Sequence, residues 1–228
     1  MSVEYEYRPV ALRYERLSLA AQRAGVRTFV ERMKRRRSIR MFSDEPVDVA
    51  LIEDAVRAAA SAPSGADQQP WTFVVVSDAE VKRRIREEAE TEERRFYESN
   101  ALEWRTALAH LGTDWKKDHL TRAPYLIVVF AQSYGLRIDS TTGERTKVKH
   151  YYVQESVGIA VGFLLAALTH AGLATLTHTP SPMGFLAKVL GRPENERAFV
   201  VIPVGYPAED CVVPTLRKKR LEEVMVRI

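Results

Sequence analysis

Cysteine is almost absent from this chain of 228 residues: Cys211 stands alone. One thiol excludes an internal disulfide, a Cys-x-x-Cys redox pair and a thiolate-held iron–sulfur cluster. Any electron chemistry would have to be carried by an organic cofactor. Long apolar runs are missing as well. The longest, residues 157–168, is far short of the roughly 20 residues that span a bilayer. The first ten residues are polar, with Glu4 and Glu6, and have no signal-peptide core. The expectation is a soluble, cytoplasmic protein without a membrane partner. Charge of one sign is also lacking: 34 Lys and Arg stand against 30 Asp and Glu, a net charge of +4. With no basic stripe, zinc finger or RNA-recognition signature, no nucleic-acid partner is expected. Gly-x-x-x-x-Gly-Lys, Gly-x-Gly-x-x-Gly and Gly-x-Ser-x-Gly are all missing, which argues against P-loop, ordinary Rossmann and α/β-hydrolase sites. The histidines at 110, 119, 150, 170 and 178 show no paired ligand spacing, so no metal site is expected.

What is present is an ordinary globular composition, 46% hydrophobic and 28% charged. Apolar periodicity predicts helices over 25–34, 47–62, 78–104, 151–171 and 185–190. Strands are predicted over 71–76, 125–131, 173–177 and 198–204, with 132–149 a polar loop. In the second helix Leu51, Ile52, Ala55, Val56 and Ala59 share a face, Asp48 can cap it and Pro63 stops it. The helix over 151–171 is apolar nearly all round and carries Gly158, Ala160, Gly162, Ala166 and Ala167. It must be buried, by its own core or by a second copy. The 78–104 helix is different. Val81, Ile85 and Ala89 form a thin apolar stripe on a charged cylinder, the pattern of an exposed surface helix or of a lid that orders over a ligand. Helices alternating with strands indicate one α/β or α+β domain.

Three stretches could carry chemistry. Arg36-Arg37-Ser38-Ile39-Arg40 puts three guanidinium forks and a hydroxyl into five residues, which suits an anionic, planar ligand. Alone, it reads equally as a solvated basic patch. Residues 61–66, Ser-Ala-Pro-Ser-Gly-Ala, form a small-residue loop whose backbone can approach a ligand closely. Thr177-His178-Thr179-Pro180 places hydroxyls on a turn after a strand, where they could meet a heteroaromatic ring or merely finish the strand. Glu93 and Tyr97 are four residues apart and share a helix face, and Lys117 follows on the next segment. A carboxylate, a phenol and an ammonium together could hold a zwitterion, although such residues are common on helix surfaces.

These residues resemble a known family. Arg36–Arg40, the Ala62–Ala66 loop, Pro70 to Val76 and Pro203-Val204-Gly205-Tyr206-Pro207 are similar to the nitroreductase superfamily of FMN proteins. Lys149-His150-Tyr151-Tyr152, Leu164 to Leu168 with Ala171-Gly172-Leu173, and Leu190-Gly191-Arg192-Pro193 look like the iodotyrosine deiodinases within it. The resemblance runs from about Phe29 to Ile228 and implies an α+β nitroreductase-type fold. That fold has a central, mostly antiparallel sheet flanked by helices, in a domain-swapped homodimer. It implies an extension over 1–22, one FMN domain over 23–228 and a lid over about 88–118.

By the same resemblance, Arg36 and Ser38 hold the FMN phosphate, Arg37 and Ile39 belong to the same cofactor-binding motif, and Arg40 faces the N1–O2 edge of the flavin. Pro63, Ser64, Gly65, Thr177 and His178 line the cofactor, and Thr179 reaches N5. Thr179 and Arg40 are thereby the catalytic pair. Ala66 meets the substrate phenolate, while Glu93, Tyr97 and Lys117 clamp its zwitterion. Two departures stand out: His178 replaces the usual threonine, and Lys218 replaces an arginine that reaches the phosphate. The implied activity is FMN-dependent reductive dehalogenation of a halogenated tyrosine. The alternatives are a general NAD(P)H-dependent nitroreductase or quinone reductase on the same fold, and a non-enzymatic basic binding module.

Overall fold

The computed structural model describes residues 7–99, 106, 108–139 and 141–228. The expected helix end at 100–104 and part of the expected lid therefore lie outside the described residues. The chain forms two compact units, residues 1–35 and 36–228. The first holds one helix, α1 (Leu19–Arg35), with no buried residue. Its Val26, Phe29 and Val30 are exposed.

The second unit is built on an antiparallel sheet of order β1-β2-β6-β5. Its strands are β1 (Trp71–Val76), β2 (Tyr125–Gln132), β5 (Ala174–Thr175) and β6 (Glu196–Gly205). Leu126 through Ala131 are all buried, so β2 is covered on both faces. The period of two divides its side chains between two cores. Ile127, Val129 and Ala131 pack with α2 (Val49–Ala60) and α5 (Val153–His170). Leu126, Val128 and Phe130 pack with α3 (Ala79–Ser99), α4 (His119–Arg122) and α6 (Gly184–Val189). Each fully buried aliphatic or aromatic side chain of β2 contributes about 1.5–3 kcal/mol. The result is three layers, helix, sheet and helix.

The helices follow their stripes. α2 buries Ile52, Ala55 and Ala59, and the Asp48 carboxylate accepts the Ala50 N–H at 2.9 Å. α3 buries Ile85 and Ala89 completely, and Lys82 donates to the carbonyls of Ala123 (2.8 Å) and Pro124 (3.3 Å). α5 is long and apolar enough to cross a membrane by length and composition. Here Val157, Ala160, Leu164 and Leu168 instead enter the core beside α2. Gly205 is required by close approach: a Cβ there would lie 2.6 Å from Pro124 Cδ.

Two local expectations change. The polar stretch 132–149 is a hairpin, β3 (Tyr134–Ile138) against β4 (Arg145–Lys149), forming its own two-stranded sheet. Tyr134, Leu136 and Ile138 do alternate in β3, but Leu136, Ile138, Arg137, Arg145 and Lys147 are all exposed, so the pattern marks no buried face. The third predicted strand narrows to Ala174–Thr175. Beyond it the pairing continues in single steps, from Leu176 N–H to Pro203 and between His178 and Val201.

Glu196 ties the sheet edge to the segment before it. It is buried, accepts two bonds from Arg192 (2.7 and 3.0 Å) and one from the Thr72 hydroxyl (2.6 Å). Burial opposes its ionisation, but those bonds outweigh burial and hold the carboxyl below its usual range. A depressed carboxylate stabilises the fold above its unfolded pKa, and that stabilisation is lost as pH falls through the folded one. Arg192→Met should therefore cost about 3 kcal/mol in urea unfolding at pH 7, and the deficit should shrink below pH 4.

Candidate functional site

The Arg36–Arg40 segment is fixed by its one apolar member. Ile39 is buried with Phe42 and Ala123, and its N–H donates to Thr175 O at 3.0 Å. Ser38 forms a parallel bridge to Thr175. Extended backbone alternates its side chains, so burying Ile39 turns Ser38 and Arg40 outward together. Both line a cleft of about 400 Å³ whose other walls include Gly112 and Val213. The Arg37 guanidinium donates to Pro214 O, which ties the C-terminal arm to this segment. Lys218 lies exposed further along that arm.

Arg36, Arg37 and Arg40 are all half-buried, yet none has a carboxylate partner among the described residues. Elsewhere Arg57, Arg83, Arg86 and Arg192 each have one. Burial lowers the pKa of Arg40, with Tyr97 in its field. Desolvated cations without counter-charges are costly. This donor set fits an anionic group beside a planar ring edge.

The three residues of the expected clamp come together. Lys117 is only 3% exposed. Its ammonium sits 3.2 Å from Glu93 Oε2, 5.9 Å from the centre of the Tyr97 ring, and donates to Asp114 O. The Tyr97 hydroxyl donates to Thr113 O at 3.4 Å. Its pKa is raised by burial first, and then by Glu93 and Asp114. The base of α3 is bolted to the same segment. Glu90 accepts the Lys117 N–H (2.8 Å) and Arg86 (2.7 Å), and Arg86 also holds Asp118 and the Thr121 hydroxyl. Arg94 lies 4.2 Å over the Trp115 ring. A pocket of about 610 Å³ opens beside Tyr97, Thr113 and Trp115. The thin stripe of α3 is thus supplemented by polar bonds that the sequence did not display.

Thr177 and Thr179 are exposed while His178 between them is buried. This alternation separates the hydroxyls from the ring between them. The His178 side chain points away from the hydroxyl face, and both its backbone N–H and its C=O are committed to Val201 (2.8 and 2.9 Å). Ile39 likewise turns its side chain into the core, where it anchors the segment. His119, which sequence reading considered only as a metal ligand, packs its ring edge-on against His178 with centroids 5.1 Å apart. Nothing in the linear pattern links positions 119 and 178.

The small loop is anchored elsewhere. Gly65 N–H donates to Ser156 Oγ (3.2 Å), and Gln68 bonds Lys149 O and Tyr151 N–H (3.0 and 2.8 Å). A Cβ on Gly65 would meet Tyr151 O at 2.7 Å. Ala66, Asp67 and Gln69 all have left-handed φ, from 47 to 52°, a local cost of order 1–3 kcal/mol each that is typical of ligand sites. Pro63 and Ala66 are exposed and Ser64 is half-buried. Among the described residues, the hydrogen bonds of this loop do not reach the arginine segment or the Lys117 cluster.

Comparison with known proteins agrees with this construction. The Nitroreductase family model matches residues 33–206. An iodotyrosine deiodinase of Haliscomenobacter hydrossis is 54% identical over 195 residues, covering 85% of this chain and 86% of that protein. The Drosophila melanogaster iodotyrosine deiodinase is 47% identical over 205 residues, 89% of this chain and 70% of that one. A crystal structure of oxidized iodotyrosine deiodinase bound to FMN and 3-iodo-L-tyrosine superposes with a TM-score of 0.73 at 33% identity, covering 87% of this chain and 97% of that one. On the strength of the matched residues and of this fold, the chain belongs to the nitroreductase family and, within it, to the iodotyrosine deiodinases.

Proposed function

We propose that the protein is an FMN-dependent reductive dehalogenase of halotyrosines, converting 3-iodotyrosine to tyrosine and iodide. The observation that carries this reading is the cluster of half-buried Glu93 and Tyr97 on the buried Lys117, with Tyr97 in the field of Arg40. A nitroreductase for uncharged aromatics has no use for a carboxylate and an ammonium held together in its lid.

The residues present fit FMN. The half-buried arginines without carboxylate partners and the Ser38 hydroxyl offer a seat for its phosphate: Arg36, Arg37 and Ser38, with Lys218 from the arm. Arg40 is the cation for the N1–O2 edge, where it favours negative charge on the ring. The Thr177 and Thr179 hydroxyls, sharing one exposed face, are the donors for the ring, with Thr179 assigned to N5. Pro63, Ser64 and Gly65 are the remaining cofactor contacts. Bound FMN supplies the two electrons with which the C–I bond is replaced by C–H, one proton being taken up and iodide leaving.

The chain's own work is binding and exclusion of water. Ala66 is assigned to the substrate phenolate through its backbone N–H. Glu93 takes the substrate ammonium, and Lys117 and Tyr97 take its carboxylate. Engagement of both ends closes the lid, residues 88–118, over the ring. Anaerobic turnover should release iodide from 3-iodotyrosine far faster than it reduces a nitroaromatic. The reverse ranking would favour a general nitroreductase.

The functional unit is a soluble, cytoplasmic homodimer. The loop of residues 63–66 and the arginine segment form separate clusters within one chain, and a second copy can bring them together. α5 exposes Ile159 and Phe163 beside Gly158 and Gly162, with open space around both glycines. The C-terminal arm exposes Val212, Leu221, Val224 and Val226. This is more apolar surface than a lone subunit ordinarily leaves in water.

Glu93→Gln should weaken 3-iodotyrosine binding, read by quenching of flavin fluorescence, by about 10- to 100-fold, the value of one charged hydrogen bond. FMN content should be unchanged, and unaltered iodotyrosine affinity would refute the clamp. Gly162→Glu should shift the molecular mass measured by light scattering from dimer to monomer. It should also strip most of the FMN, since a half-site holds it poorly.

A further inference from the structure

His119 and His178 are two buried polar groups that the proposed mechanism leaves unused. Their residues are 5% and 9% exposed, and the Nε2 atoms of both lack a hydrogen-bond partner among the described residues. Each belongs to a functional segment. His119 opens α4 two residues after Lys117, and His178 separates Thr177 from Thr179. Their edge-to-face contact joins the two segments.

We propose that His119 and His178 are positioning residues: their ring contact sets the segment carrying Lys117 against the turn carrying Thr177 and Thr179, and iodotyrosine affinity depends on it. This rests on the halotyrosine reading above.

The surroundings allow the pair one protonation state. Burial lowers the pKa of His119 to about 2, helped by His178, Lys117, Arg40 and Arg86. His178 falls to about 3 through burial, Lys117 and Arg40. The carboxylates of the same network are engaged elsewhere: Glu93 on Lys117, Glu90 on Arg86 and the Lys117 N–H, and Asp118 on Arg86. Each cation facing the pair therefore disfavours charging it.

The sign of the pH effect follows. A histidine whose pKa is depressed in the closed arrangement binds its proton only when that arrangement opens. Closure is fully favoured above the ordinary histidine pKa, near 6.5, and weakens below it by up to tenfold per pH unit for each ring. Acid thus separates the lid root from the Thr177–Thr179 turn.

Two measurements on the FMN-loaded protein test this. Between pH 7.5 and 5.5 the wild type should lose 3-iodotyrosine affinity about tenfold more than His119→Phe, which keeps a ring and cannot ionise. Ionisation of the ligand's own phenol is common to both proteins and cancels. His119→Gln, neutral and polar, should show the same shallow dependence and stands in if the phenylalanine variant does not fold. Independently of ligand, amide exchange at residues 117–122 and 176–180, corrected for intrinsic rates, should accelerate below pH 6 more steeply in the wild type than in the variants, which keep only His178. Parallel pH dependences in wild type and variants, in both binding and exchange, would overturn the proposal. A wild type that ignores iodotyrosine at pH 7.5 would overturn the halotyrosine reading, while exchange would still judge the histidine contact.

Discussion

Burial of β2 on both faces is the constraint from which the rest descends. A strand with apolar side chains on alternate sides cannot leave either side in water. Helices must cover both, and the chain supplies them in two sets. α2 and α5 take one face, and α3, α4 and α6 take the other. That division decides where chemistry can be built. The α2 and α5 side carries the small-residue loop, tied to Ser156 and Tyr151. The α3 and α4 side carries Glu93, Tyr97, Lys117 and His119. The sheet margin between them receives Ile39, whose burial turns Ser38 and Arg40 outward.

Much of this was legible because apolar period and burial coincide. The stripe of α2 and the unbroken run of β2 state their environments directly. The β3–β4 hairpin was not legible. Tyr134, Leu136 and Ile138 alternate in β3, but among charged neighbours and without a buried face the short pattern does not stand out from a polar loop. α3 misleads in the opposite direction. Counting apolar residues leaves it nearly unsupported, yet Ile85 and Ala89 are fully buried and Arg86, Glu90 and Lys82 add bonds that composition does not display.

The site divides in the same way. Glu93 and Tyr97 could be paired from a four-residue spacing, since helix geometry is local. The approach of Lys117 could not, because it depends on a fold-back between α3 and α4. The family resemblance supplied that link. His178 adds something a motif does not display: strand alternation turns its ring away from the Thr177 and Thr179 hydroxyls, towards His119.

In the proposed clamp, the buried Glu93–Lys117 pair would let the site discriminate without binding excessively. Both charges are already withdrawn from water, at 15% and 4% side-chain exposure, so the desolvation cost is met in folding. A zwitterion brings one charge of each sign. Glu93 can exchange Lys117 for an ammonium while Lys117 exchanges Glu93 for a carboxylate, and the number of buried pairs rises without leaving either residue bare. A ligand with a single charge satisfies one partner and strands the other, a penalty of about 3–5 kcal/mol when a buried pair is broken one-sidedly. A neutral phenol gives neither residue a reason to let go. Selection for an amino acid therefore comes less from added attraction than from the cost of every other way of opening the pair.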